Sequence, residues 1–148
     1  PGLGKTTLLR DLVRLVSEGE GCQPLRVSLA DERGEVAALW NGIPQLDVGR
    51  NTDVVEGCPK AQGLMLLLRA MNPQVLAADE ITAPEDAAAL RTAFGCGVTL
   101  LATAHGGDKS DLERRALYRP LLEEGCFHWL VRIVRGPEGR RYFTEELT

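Results

Sequence analysis

Lys5 and Thr6 close the run Pro1-Gly2-Leu3-Gly4-Lys5-Thr6-Thr7, an order of residue types suited to gripping phosphate. The run reads as the back three-quarters of a phosphate-binding loop, G-x-x-x-x-G-K-[ST], without its leading Gly and the neighbour of that Gly. Gly4 has no Cβ, so the backbone can curl tightly and approach phosphate oxygens. Successive loop N–H groups then point inward as an anion nest. Lys5 supplies a mobile positive charge for β- and γ-phosphates, and the Thr6 hydroxyl suits Mg²⁺. A helix starting here adds roughly half a positive charge at its N-terminus. A Gly-rich turn before a helix is the plain alternative. The Gly-Lys-Thr-Thr run, followed at once by an amphipathic helix, favours a nucleotide site held by Gly2, Leu3, Gly4, Lys5, Thr6 and Thr7.

A second acidic feature follows downstream. Gln74-Val75-Leu76-Ala77-Ala78-Asp79-Glu80 is a short apolar strand ending in two acids, the Walker B pattern. Asp79 would hold Mg²⁺ through water, and Glu80 could polarise an attacking water. One such strand alone is weak evidence, and a phosphate loop at a sensible distance upstream makes it strong. Thr103-Ala104-His105-Gly106 also follows an apolar strand, where a hydroxyl and an imidazole could sense the γ-phosphate. Asp31-Glu32-Arg33-Gly34-Glu35 packs four charges into five positions after a third strand. A solvated loop would carry the same composition, but charge at the carboxyl end of a parallel strand is also what an α/β active-site edge looks like.

The elements that must position these groups alternate. Leu8, Leu9, Leu12, Val13 and Val16 fall at helical spacing, with Gly19 and Gly21 as the stop. Residues 25–30 alternate as a strand. Residues 41–57 are rich in Gly, Asn, Asp and Pro and read as a long functional loop holding Arg50, which is either a phosphate contact for a neighbouring subunit or a plain exposed arginine. Pro59 fits the first position of a helix whose apolar face includes Leu64, Met65, Leu67, Leu68 and Met71. Pro84 to Phe94 reads as a helix, 98–103 as a buried strand, and 108–124 as a helix interrupted near Pro120. A hairpin closes the chain around Gly136-Pro137-Glu138-Gly139. Its cluster of Arg132, Arg135, Arg140 and Arg141 reads either as a basic contact surface or as a solvated edge. Alternating strands and helices imply an α/β parallel sheet covered on both faces.

With 148 residues, 44% hydrophobic and 26% charged, the chain suits one soluble domain with a sizeable core. Its net charge of -4 argues against a surface that coats nucleic acid. Cys22, Cys58, Cys96 and Cys126 stand singly, with no C-x-x-C spacing, as expected of buried or idle thiols in a reducing compartment. No apolar run spans a bilayer and no signal sequence is visible, so a cytoplasmic location without membrane insertion is expected. Because the chain starts inside a motif, a fragment truncated before the strand that leads into the loop is expected too.

One strand–helix unit lies between the loop and Asp79-Glu80, the order of RecA-like and AAA-type P-loop NTPases with an additional strand between Walker A and Walker B. The resemblance goes further. Asp31-Glu32-Arg33-Gly34-Glu35, Asp47-Val48-Gly49, Asn51-Thr52-Asp53-Val54, Cys58-Pro59-Lys60-Ala61, Arg69-Ala70-Met71-Asn72-Pro73-Gln74-Val75, Asp79-Glu80-Ile81 and Thr103-Ala104-His105-Gly106 together resemble the stage III sporulation protein AA family, relatives of the type II and type IV secretion ATPases. The match runs from Pro1 to about Gly107. It implies a C-terminal ATPase domain fragment over 1–148, with a core at 1–107, a helix and hairpin region at 108–148, and an N-terminal domain absent. It implies ATP and Mg²⁺ as cofactors, and Glu32 or Glu35 of the acidic box as a water-positioning group beside Glu80. It further implies a coupling role for His105 and action of Arg50 or Arg69 across a subunit boundary. It implies a hexameric ring at a membrane-associated channel of sporulation, on the mother-cell side of the forespore.

Three functions compete on this reading: an ATP-hydrolysing motor of that secretion-type channel, a nucleic-acid-handling ATPase using the basic hairpin, and a nucleotide-gated scaffold with negligible turnover. The acidic net charge and an aromatic content of 5% argue against nucleic acid as a partner. Acids at both 31–35 and 79–80 weigh against the scaffold.

Overall fold

The computed structural model describes residues 2–147, so Pro1 of the loop lies outside the described residues. Four short strands form a parallel sheet in the order β4-β1-β5-β6, with β1 at Val27–Asp31, β4 at Thr52–Glu56, β5 at Val75–Ala78 and β6 at Thr99–Ala102. Between β1 and β4 lies a two-residue ladder of β2 (Leu39–Trp40) and β3 (Ile43–Pro44). A separate antiparallel hairpin, β7 (Trp129–Gly136) and β8 (Gly139–Glu146), closes the chain.

Side-chain alternation divides the core into two layers. Val27 and Leu29 of β1 and Val75 and Ala77 of β5 face α1 (Lys5–Glu18), which buries Leu9 and Val13 against them. Ala30, Leu76, Ala78 and Leu100 face the other way, onto α2 (Lys60–Ala70) and α3 (Pro84–Gly95) through Leu64, Leu67, Ala89 and Leu90. The parallel sheet covered on both faces is therefore as the alternating pattern implied. Two shorter helices, α4 (Lys109–Arg114) and α5 (Arg119–Glu123), extend the second layer, where the Tyr118 hydroxyl donates to the Ile81 carbonyl at 3.1 Å.

Several expectations shift. The 41–57 stretch is not one loop, because its last residues form edge strand β4, parallel to β1. The turn before β4 packs tightly on the end of α1: the Asn51 N–H donates to the Ser17 hydroxyl at 2.7 Å, and a Cβ on Gly49 would lie 2.5 Å from Ser17 Cβ. Its glycine and asparagine therefore serve close packing. Pro59 is the N-cap of α2 rather than its first residue. The 108–124 helix breaks at 115–118, before Pro120, which sits in the first turn of α5. Met71 is 44% exposed at the C-cap of α2 rather than in the core. All four cysteines are free thiols.

Strand direction decides where chemistry can occur. β1, β5 and β6 all end at one edge, in register, so Asp31, Asp79 and Thr103 follow one another across it. Asp31 is 2% exposed, and its carboxylate accepts from the backbone N–H groups of Glu35 (3.1 Å), Val36 (3.1 Å) and Ala37 (2.8 Å). The first acid of the acidic box thus folds the box rather than facing solvent. Truncation would strand buried N–H donors at a typical cost of about 1–3 kcal/mol each. In the full-length protein, Asp31→Ala should lower the urea unfolding midpoint clearly more than Asp31→Asn, which keeps one acceptor.

Candidate functional site

The N-terminus of α1 has no side-chain cap. Gly4 is its N-cap, left-handed at φ 92°, with no side chain capping the first turn and no acid within it. The first N–H groups of a helix have no intrahelical partner, and here nothing anionic from the helix itself answers them. Such an end suits an incoming anion.

Three side chains meet at this end. The Thr6 hydroxyl donates to Asp79 Oδ2 at 2.8 Å, and the Thr103 hydroxyl donates to Asp79 Oδ1 at 2.5 Å. Thr103 Oγ1 also accepts from the Glu80 N–H at 2.7 Å. Asp79 is therefore clamped between the loop and β6.

A second chain of contacts runs beside the first. Lys5 Nζ donates to the Ala104 carbonyl at 3.3 Å and to His105 Nδ1 at 2.7 Å. An ammonium has only donors, so Nδ1 must be the acceptor and the ring proton belongs on Nε2. Nε2 then donates to Glu80 Oε1 at 3.1 Å, while Arg33 Nη2 donates to Glu80 Oε2 at 2.6 Å. Burial lowers the pKa of Lys5, with the charges of Glu80 and Asp79 opposing it. Desolvation pushes Glu80 up, but the hydrogen bond from His105 and the charge of Arg33 outweigh it, so its carboxyl lies below the usual glutamate range.

Glu80 has an unusual backbone, with φ 53° in the left-handed region that non-glycine residues rarely adopt. Its carbonyl accepts from Lys60 Nζ, a hydrogen bond that ties it to α2. Lys60 is 5% exposed, and its ammonium also lies 3.6 Å from Glu32 Oε2 and 3.7 Å from Asp86 Oδ2. Asp86 in turn accepts from the N–H groups of Thr82 (3.1 Å) and Ala83 (3.0 Å), which fixes the turn after Glu80.

Of the sequence candidates, Lys5, Thr6, Asp79, Glu80 and His105 come together directly. Glu32 joins through Lys60, whereas Glu35 enters through its backbone: its N–H bonds Asp31 and its carbonyl accepts from Arg10 at 2.8 Å. Gly2, Leu3 and Gly4 form the loop and Thr7 lies in the first turn of α1. Arg50 and Arg69 lie at the other end of the strands. Arg50 precedes β4 and pairs with Glu18 at 2.9 Å. Arg69 lines an open groove of about 840 Å³ with Arg26, Gln74 and Thr99. Lys60 and Arg33 were not singled out as site residues from sequence. A lysine in the first turn of a helix, where the dipole disfavours it, is the one local signal that could have marked Lys60.

The same arrangement of sheet and helices occurs in solved structures. The chain matches the VirB11 ATPase of the Brucella suis type IV secretion system, solved with sulphate, at a TM-score of 0.65 and 17% identity, covering 99% of this chain and 46% of that one. The ATPase DotB of Yersinia pseudotuberculosis matches at a TM-score of 0.65 and 15% identity, covering 100% of this chain and 42% of that one. The fold is therefore that of the secretion ATPases.

The chain belongs to the family described as Sporulation stage III, protein AA, whose model matches residues 1–140. It is 44% identical over 136 residues to Stage III sporulation protein AA of Bacillus subtilis (strain 168), an alignment covering 91% of this chain and 44% of that protein. It is 34% identical over 108 residues to the uncharacterized protein ycf45 of Porphyra purpurea, covering 72% of this chain and 18% of that protein. The chain thus spans less than half the length of these curated relatives.

Among the site residues, Lys60 should matter most for stability. Removing one partner of a buried ion pair typically costs about 3–5 kcal/mol. Lys60→Met should therefore lower the free energy of unfolding of the full-length protein by about that much in urea titration, while Arg33→Met, at an exposed pair, should change it by less than about 1 kcal/mol.

Proposed function

We propose that this chain carries the nucleotide site of a Mg²⁺-dependent ATP-hydrolysing motor that works as a ring in a secretion-type channel complex of sporulation. The carrying observation is the 2.8 Å contact between the Thr6 hydroxyl and the Asp79 carboxylate, made at the uncapped N-terminus of α1. Both are hard oxygen donors, the class that Mg²⁺ prefers. Among the described residues, no group of three or more His, Cys, Asp and Glu side chains could hold a metal. That suits Mg²⁺, which keeps several waters and takes one or two carboxylates together with substrate phosphates. When bound, Mg²⁺ would offset the negative charge on the β- and γ-phosphates.

The rest of the reading concerns this chain's own groups. The loop N–H groups and Lys5 hold the polyphosphate. To reach it, Lys5 gives up the Ala104 carbonyl and His105 Nδ1, and the imidazole is then free to change its hold on Glu80. Glu80, with Glu32 or Glu35 nearby, orients and deprotonates the attacking water. His105 thus reports at Glu80 whether Lys5 is engaged by phosphate. Arg50 and Arg69 lie at the opposite end of the strands from Lys5, so a phosphate contact by either would be made at the site of a neighbouring subunit. The family description supports the sporulation role, and the likeness to proteins named as secretion ATPases supports the motor. Among the described residues no helix is long and apolar enough to cross a membrane.

The test is MgATP binding and steady-state turnover in the full-length protein. Glu80→Gln should bind MgATP with affinity near that of the wild type and lose turnover by about 10²–10⁴-fold, the usual contribution of a general base. Turnover that survives this substitution would remove Glu80 from the mechanism.

A further inference from the structure

The C-terminal hairpin touches the candidate phosphate loop, a contact the reading above does not use. Arg135 Nη2 donates to the Gly2 carbonyl at 3.1 Å, across 133 residues of sequence. The Arg140 guanidinium lies over Gly4 on the side where a side chain would project: a Cβ there would come 2.6 Å from Nη1 and 2.8 Å from Cζ of Arg140. Gly2 and Gly4, both left-handed at φ 71° and 92°, are thus each touched by one arginine.

Arg135 and Arg140 are directly opposite one another in the β7–β8 ladder, one step from the turn. Like charges at directly opposed positions destabilise a strand pair. The other two hairpin arginines are occupied locally: Arg132 stacks on the Phe143 ring at 5.5 Å, and Arg141 pairs with Glu138 at 3.7 Å. Arg135 and Arg140 instead converge on the loop. An anion nest works only if its N–H groups face the ligand and its carbonyls turn away, since a carbonyl oxygen facing a phosphate would repel it. A cation that holds a loop carbonyl, as Arg135 holds that of Gly2, keeps its oxygen from turning toward an incoming anion.

We propose that Arg135 and Arg140 are positioning residues that brace the 2–7 loop in its anion-accepting shape, so that the hairpin sets the affinity of the site for a polyphosphate. This rests on the phosphate-site reading given above. It also assigns the hairpin a role at the nucleotide edge rather than at a nucleic acid.

Two readouts on the full-length protein test it. The first is amide hydrogen exchange of Leu8, whose N–H closes the loop on the Gly4 carbonyl at 3.0 Å, comparing wild type with the double variant Arg135→Gln/Arg140→Gln. Exchange at this loop amide should rise at least about fivefold, with protection of β1 and β5 unchanged. The second is MgATP affinity measured with a fluorescent nucleotide. It should weaken by about ten- to a hundredfold, the usual effect of losing a hydrogen bond to a charged group, with KM raised and kcat kept. Arg141→Gln, which removes the same charge from the same hairpin, should leave both readouts unaltered. Arg135→Lys/Arg140→Lys should recover part of the affinity, because lysine keeps the charge but not the planar fork. Unchanged loop exchange in the double glutamine variant overturns the brace, whatever nucleotide does. Equal loss in Arg141→Gln also overturns it, in favour of a general charge effect. A wild type that binds no triphosphate overturns the phosphate-site reading, while loop exchange still decides the brace.

Discussion

The carboxylate of Asp79 is held by two hydroxyls, one from each side, and the rest of the edge depends on that clamp. Thr6 brings the first turn of α1 to it, and Thr103 brings the end of β6. Neither residue could arrive without the two-layer core. α1 is placed by Leu9 and Val13 on one face of the sheet, and β5 and β6 are locked in register by apolar residues buried on both faces. With the clamp closed, the helix N-terminus points at the sheet edge, and Lys5 falls within reach of His105. Close packing fixes the backbone, and the polar groups inherit their distances from it.

The same edge shows a division of labour among acids that composition conceals. Four charges lie between Asp31 and Glu35, yet Asp31 is consumed by backbone N–H groups and Glu35 is tied through its main chain. Glu32 sits near Lys60, whose ammonium reaches the carbonyl of Glu80. Burying a lysine at the start of a helix is unfavourable on both desolvation and dipole grounds. What the buried ammonium does here is hold the carbonyl of Glu80, whose backbone is left-handed. Strain of this kind typically amounts to about 1–3 kcal/mol and persists only where the surroundings over-determine it. Thr103 on the N–H and Lys60 on the carbonyl do so here.

Much of this was legible in the sequence because the relevant signals are local. Gly4-Lys5-Thr6 before an amphipathic run, and an apolar tetrapeptide ending in Asp79-Glu80, each fit inside a window shorter than a helix. β1, β5, β6 and the principal helices were readable for the same reason, although β6, expected to be buried, lies at the sheet edge with only Leu100 buried. β4 was not, because an edge strand of five residues, half-exposed on both faces and preceded by Gly49 and Asn51, has the composition of a loop. What makes it a strand is β1 beside it, a tertiary fact. Lys60 and Arg33 escaped similarly, since nothing near either residue in sequence names the Glu80 group that it binds. Arg135 and Arg140 lie more than 130 residues from the glycines they approach, and their pattern alone favoured a solvated edge strand.

On the proposed reading, the contacts around Lys5 and Glu80 set an order of events at the site. Both carboxylate oxygens of Glu80 are engaged, one by His105 and the other by Arg33. Lys5 rests on the neutral nitrogen of the same imidazole. That contact is available only while Nδ1 carries no proton, so the lysine and the ring proton exclude one another at that atom. Drawing Lys5 onto a phosphate lifts the exclusion, and the ring can then rotate or change tautomer. Glu80 would lose one of its two donors only after the polyphosphate had been gripped. Release of the Glu80 carboxylate oxygen would then follow binding rather than precede it. The ordering comes from a lysine, an imidazole and a carboxylate in contact, with no moving domain required.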